Sequence, residues 1–581
     1  MNEYSATRRN NNSILKWIVG LIIVSSVQVL AQSDTIQTNV PHLKDVYAND
    51  FYIGCLLSYR NIGLPTDPPV NGQSPVITPN GGYLIQYHMN SMSPGNNMKP
   101  QFTVDLTSSA AAYTAATTQA QKDSINIHPI VRFNGDLIAQ LNWAQRQGFT
   151  FRGHTLVWHN QTPTAFFRTG YAANASYVSK DTMTLRMGFY IHEIVRLIHE
   201  GWPGLLSALD VVNEAIDDNT GKIRTSGNDW HTTFGDSSYV MKAFQFARQY
   251  TDEYGETQIK LYYNDYNTHL VIKANGIVSL LTPIFQAGYL DGIGMQEHDA
   301  VSYPSAADWI ASYNKFYPIC HEMAVTEFEV TTGSTNPSAA QYAAQANQYG
   351  QLLKCFVERS YKSGRGKIIG VSKDGLNDQY TQGSAQYSSL WDIHNQCKPA
   401  FYTVVDVGRN YNSLDSLIAY ADSLQQSRYT AGSWSSLSSA LSSAKSARDQ
   451  NYSVTVSADT GLALAKVSLQ TAVDDLVSTG VDYSGTTVRS YELKQNYPNP
   501  FNPSTTIEYQ LPHDGHVLID VYDLQGRRIR NLVDRAELNG QHNVVWDGRN
   551  INGQDVASGV YFYRYVVNGI LRETKSAVLL K

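Results

Sequence analysis

Short apolar runs separated by longer stretches of helical spacing fill the chain from about residue 33 to 412, the signature of repeated βα units. Eight runs read as strands: Phe51 to Leu57, Tyr83 to His88, Phe151 to Trp158, Leu209 to Asn213, Ile259 to Asn264, Gly292 to Gln296, Met323 to Glu327 and Ile368 to Ser372. Between them, Gly135 to Gln147 sets Leu137, Leu141 and Ala144 on one helical face before Gly148 ends the element. Eight such units predict an α/β fold, a closed (β/α)8 TIM barrel. A doubly wound open sheet is the competing architecture, but no Gly-rich phosphate loop follows the first strand to favour it.

The pattern changes twice beyond the barrel. Residues 413–478 turn rich in Ser and Ala, with helical spacing at Leu414, Leu417, Ala421 and Leu424, at Trp434, Leu437, Leu441 and Ala444, and at Leu462, Ala465, Leu469, Ala472 and Leu476. This predicts a small three-helix module. After a linker over 479–493, residues 494–581 alternate apolar and polar positions between Gly and Asn turns, as in Val517 to Tyr522 and Gly559 to Tyr563. They predict a C-terminal antiparallel β-sandwich. At the other end, Arg8, Arg9 and Lys16 precede the apolar stretch Trp17 to Leu30 and a small-residue close at Ala31, the layout of a signal peptide over 1–31. That stretch is shorter than the ~20 residues that span a bilayer, and no later segment reads as transmembrane.

Composition narrows the partners. With 44 basic and 50 acidic residues the formal charge is -6, which offers no electrostatic footprint for nucleic acid. The 38 Tyr and 9 Trp supply flat, amphipathic faces on which neutral sugar rings can stack. Cys55, Cys320, Cys355 and Cys397 lack the tight paired spacing of a zinc site, and whether any two form a disulfide stays open.

Two glutamates stand out because each closes an apolar run: Leu209-Asp210-Val211-Val212-Asn213-Glu214 and Met323-Ala324-Val325-Thr326-Glu327. A buried strand that ends in a carboxylate delivers it to the rim of a barrel, where chemistry is usually done. Polar groups gather at other strand ends as well, in Arg152 to Gln161, Gln296-Glu297-His298 and Thr326-Glu327-Phe328-Glu329. An ordinary core excludes such charges unless they are paired.

Together with Asn96-Asn97-Met98-Lys99, Leu261 to Asn267 and Lys398-Pro399-Ala400-Phe401, these segments resemble glycoside hydrolase family 10, whose members are mainly endo-β-1,4-xylanases. The resemblance covers roughly residues 45 to 412. It implies a retaining hydrolase with Glu214 as general acid/base, Glu327 as nucleophile and carboxyl groups about 5 to 5.5 Å apart. Paired carboxyls resist simultaneous ionisation, so one is expected to hold a proton while the other is bare. The resemblance further implies that Asn213 bonds the sugar 2-hydroxyl, that His298 with Glu329 orients the nucleophile, and that Gln296 stands beside it. Asn96, Lys99, His154, Trp158 and Gln161 would bind or wall the sugar. No cofactor or metal is implied, the expected substrate is xylan or its oligosaccharides, and the chain is expected to act as a monomer.

The chain also departs from the family pattern. Gly95 stands where a sugar-binding glutamate is usual and Pro100 where a tryptophan is usual. Asp374 takes the place of a stacking tryptophan after the last strand, and Glu329 replaces the usual aspartate. These departures motivate a competing reading, a catalytically weak or altered-specificity barrel that binds polysaccharide at the cell surface. A metal-dependent hydrolase built on His154, His159 and His298 is a third reading, without a short-range ligand motif to support it. At the C-terminus, Asn496-Tyr497-Pro498-Asn499-Pro500-Phe501-Asn502-Pro503, the Gly526-Arg527 turn, Gly559-Val560-Tyr561 and Lys581 resemble a type IX secretion sorting domain. That implies a second partner, the secretion machinery, and export through the periplasm to the cell surface or beyond.

Overall fold

The computed structural model describes residues 36–57, 81–360, 364–378, 387–449, 460–477 and, with breaks of one to three residues, 490–580. The expected leader 1–31, most of the linker and the Gly526-Arg527 turn lie outside the described residues.

The barrel staves are β1 (Tyr52–Leu57), β2 (Ser91–Pro94), β3 (Thr150–Trp158), β4 (Leu206–Asn213), β5 (Lys260–Asp265), β6 (Gly292–Met295), its short continuation β7 (His298–Ala300), β8 (Glu322–Thr331) and β9 (Lys367–Asp374). They pair in parallel in chain order, β9 pairs with β1, and the β6–β8 pairing closes the ring. The (β/α)8 expectation therefore stands as a closed barrel of eight staves.

One expected strand is wrong. Tyr83 to His88 lies in the helix Gly81–His88, which buries Gly81, Leu84, Ile85 and His88. That spacing of three and four is helical, and the apolar run disguised it. The true second strand, Ser-Met-Ser-Pro, is four residues of low β propensity, fully buried between β1 and β3. β8 also runs on to Thr331 instead of stopping at Glu327, with a register shift against β9 between Val325 and Phe328 that sets Glu327 at an irregular point. The helix Gly135–Gln147 has the expected limits: Asn134 caps its N-terminus, and Gly148 ends it in the left-handed conformation at φ 67°.

Inside the barrel, Gly294 is dictated by its neighbours. A Cβ there would come within 2.3 Å of Asn264 Oδ1 and 2.9 Å of Arg152 Nη2. The missing side chain leaves room for a polar layer of Arg152, Asp210 and Asn264, all buried.

Helix Pro399–Ser423 is continuous across residue 412, beginning against the barrel and ending in the helical module with Ala431–Asp449 and Thr460–Asp474. Leu414, Leu417, Ala421, Leu437, Ala444 and Leu469 join the same apolar cluster as the barrel core. The tail forms two antiparallel sheets, β10 (Glu492–Leu493), β11 (Thr505–Leu511) and β14 (Gly540–Trp546) facing β12 (Gly515–Tyr522), β13 (Arg528–Glu537), β15 (Gly559–Val567) and β16 (Ile570–Leu579). Alternation puts Val517, Ile519, Val521, Tyr561 and Tyr563 into a separate core with Trp546. All four cysteines are free thiols, and among the described residues no helix is long and apolar enough to cross a membrane.

Candidate active site

Parallel register brings the predicted residues to one rim. Trp158 pairs with Asn213, Asn213 with Asn264 and Asn264 with Gly294, so the ends of β3 to β6 form one polar layer. Glu214 follows directly, with φ 54°, and its N–H donates to the Asn264 carbonyl at 2.9 Å. A left-handed glutamate costs on the order of 1 kcal/mol or more, a strain that surrounding contacts must hold and that clusters at working sites.

The Glu214 carboxylate is half-buried and receives three donors. Trp158 Nε1 reaches Oε2 at 2.9 Å, while Gln296 Nε2 and Asn213 Nδ2 reach Oε1 at 3.0 and 3.1 Å. Glu327, 5% exposed, accepts from His298 Nε2 at 3.2 Å on Oε2 and from Asn264 Nδ2 at 3.3 Å on Oε1. Asn264 also donates to Asn213 Oδ1 at 3.1 Å, so one amide lies between the two glutamates' supports. Thr326 Oγ1 fixes that amide by donating to Asn264 Oδ1 at 2.7 Å.

Burial alone would raise the Glu327 carboxyl, but the His298 hydrogen bond and charge, with the charges of His154 and Lys99, hold it down at about 2. His298 is its counterpart. Burial disfavours its charge, yet the bonds to Glu327 and Glu329 and the charges of Glu327 and Asp374 raise it well above an ordinary imidazole. The longer Glu329 side chain reaches the imidazole directly. Glu329 sits directly across from His298 in register and meets Nδ1 at 2.9 Å, and Ser388 Oγ holds its other oxygen at 2.6 Å.

Beside Trp158, Lys99 Nζ donates to Asn96 Oδ1 and Gln161 Oε1, both at 2.9 Å, and lies 4.4 Å from the Trp158 ring centre. His154 is anchored through Nδ1 to Asp210 Oδ2 at 2.9 Å, and Arg152 holds the same carboxylate with Nε at 3.1 Å. Asp374 ends β9 with Oδ2 3.9 Å from His298 Nδ1 and no hydrogen-bond donor on that oxygen. Burial first, then the Glu329 charge, pushes its carboxyl up to about 7. All twelve predicted site residues thus share one connected neighbourhood.

Asn264, Asp210, Arg152 and Ser388 were not singled out by the sequence reading. Asn264 and Asp210 carried a signal, since each is a polar residue inside an apolar strand run; Ser388 carried none. Among the described residues, His154, His159 and His298 do not gather as one ligand set.

A barrel whose rim presents two differently supported carboxyls inside a ring of amides, imidazoles and an indole has the architecture of a glycoside hydrolase. Residues 42–407 match the profile of glycosyl hydrolase family 10, and the chain belongs to that family. Residues 495–578 match a secretion system C-terminal sorting domain, which marks the protein for export to the cell surface or beyond. The chain is 31% identical over 394 residues to endo-1,4-beta-xylanase Y of Acetivibrio thermocellus, covering 65% of this chain and 33% of that protein. It is 32% identical over 305 residues to a putative endo-1,4-beta-xylanase of Caldicellulosiruptor saccharolyticus, 51% of this chain and 96% of the relative. The chain thus spans about a third of the first relative's length. A solved structure of Clostridium thermocellum xylanase 10B modules complexed with xylohexaose matches with a TM-score of 0.54 and 29% identity, over 64% of this chain and 68% of that one.

Proposed function

We propose that the barrel is a retaining endo-β-1,4-xylanase acting on internal bonds of xylan outside the cell, reached through the periplasm and the type IX machinery. The observation that carries this reading is the contrast between the two carboxyls. Glu327 is held as a bare anion by the charged His298, whereas Glu214 is held by neutral amide and indole donors.

In the first step Glu214 gives a proton to the leaving glycosidic oxygen while Glu327 attacks the anomeric carbon, forming a covalent glycosyl-enzyme. In the second, Glu214 takes a proton from water, which attacks the same carbon and releases Glu327. In this reading Asn213 bonds the sugar 2-hydroxyl, Lys99, Asn96, His154 and Gln161 hold hydroxyls around it, and Trp158 forms a wall. Contacts that strengthen as positive charge develops contribute most to the rate.

The altered-specificity reading has one observation in its favour. Asp374, with a free oxygen beside His298, replaces an apolar stacking face with a polar one. New reducing ends measured on several purified xylans separate the two. Release from at least one, lost in Glu214→Ala and Glu327→Ala by a factor of ~10² to 10⁴ for the acid/base position, supports hydrolysis. Binding without release from any of them supports the weak barrel and defeats hydrolysis.

A further inference from the structure

The segment that carries His298 has a second cluster of titratable groups. Glu297 and Asp299 flank His298, but where His298 turns to Glu327 and Glu329, these two carboxyls meet His269, which lies in the loop between β5 and helix Val271–Gln286. One ligand atom from each of His269, Glu297 and Asp299 lies within 4.8 Å of the other two. The residues are 8%, 2% and 3% exposed. Glu297 Oε1 accepts from Thr268 Oγ1 at 3.2 Å, the Trp309 indole also acts on the Glu297 carboxyl, and the Glu297 and Asp299 carboxyls face each other, with no other donor on either Asp299 oxygen.

Adjacent carboxyls buried this deeply need a proton held between them or a cation. The cations whose charges act on the cluster are engaged elsewhere. Lys273 Nζ is 2.5 Å from Asp218 and 2.7 Å from Asp265, and His298 is bonded to Glu327 and Glu329.

We propose that His269, Glu297 and Asp299 form a structural site for a divalent transition-metal ion, zinc or manganese, behind the catalytic rim. Two carboxylates and a neutral imidazole balance its charge. Small movements bring each ligand atom to the usual ~2.0 to 2.2 Å from such an ion. An imidazole with two carboxylates suits these metals, whereas calcium requires six to eight oxygens. The ion would tie the loop after β5 to the segment bearing His298 and so position it, a role independent of the proposed hydrolysis.

The test is metal content of the full chain, stripped with chelator and dialysed against zinc, manganese or calcium chloride in turn. The expected result is about one zinc or manganese ion per chain and a higher thermal midpoint in its presence. Asp299→Asn and His269→Gln should each lose that ion. Retention of the ion by folded forms of both variants would overturn the proposal. So would a wild-type protein that keeps no ion, the outcome expected if the carboxyls share a proton. If the variants fail to fold, anomalous scattering from wild-type crystals soaked in the same salt decides. A peak among the three side chains upholds the site, and a peak elsewhere or none rejects it.

Discussion

At the scale of single residues, charge at the rim is divided among His298, Glu327 and Asp374. Removing the imidazolium in His298→Asn takes away the main support of the Glu327 anion. The acid limb of kcat/KM should therefore move to higher pH, a shift that loss of packing alone does not produce. Stability should respond to pH with opposite signs at the two carboxyls. Glu327 is depressed from 4.5 to about 2, so its contribution is fully present above pH 4.5 and is lost as pH falls toward 2. Asp374 is raised from 3.8 to about 7, so the native state binds the extra proton in that window and loses stability as pH rises through it. Asp374→Asn should flatten the decline between pH 4 and 7 in thermal-midpoint measurements. An unchanged slope in that variant would remove Asp374 from the picture.

At the scale of elements, the barrel interior leaves little room for error. Gly294→Ala forces a methyl group against Asn264 and Arg152, and a cost of about 1 to 3 kcal/mol in urea unfolding is expected, with a loss of turnover as the Asn264 amide shifts. A variant with wild-type stability and rate would show that this polar layer is more accommodating than its distances imply. Most staves were legible because a buried parallel strand is a short apolar run, and both glutamates were legible because each breaks such a run with a charge. The second stave was not, because Ser91 to Pro94 carries no apolar pattern and owes its conformation to pairing with Leu56, Leu57, Thr150 and Phe151. Asn264 was legible as part of the Leu261 to Asn267 segment but its role was not, for a related reason. Its importance lies in spanning Asn213 and Glu327, a relation set by register between strands more than fifty residues apart and absent from any local spacing.

At the scale of the whole molecule, the cores divide the chain unequally. The helical module shares the barrel's apolar cluster, whereas the sandwich has its own. A chain ending at residue 489 should keep the barrel's thermal midpoint and xylan turnover. One ending at 412 cuts helix Pro399–Ser423 and uncovers barrel-side apolar surface, so its midpoint should fall. Equal midpoints for the two would contradict a shared core. If Glu327 attacks one face of the sugar while Glu214 protonates the leaving oxygen, the anomer of the first product is fixed. Proton NMR of xylohexaose cleavage at early time should show the β anomer appearing first and the α form growing only by mutarotation. An α anomer released first would mean inversion, and the roles assigned to the two glutamates would be wrong.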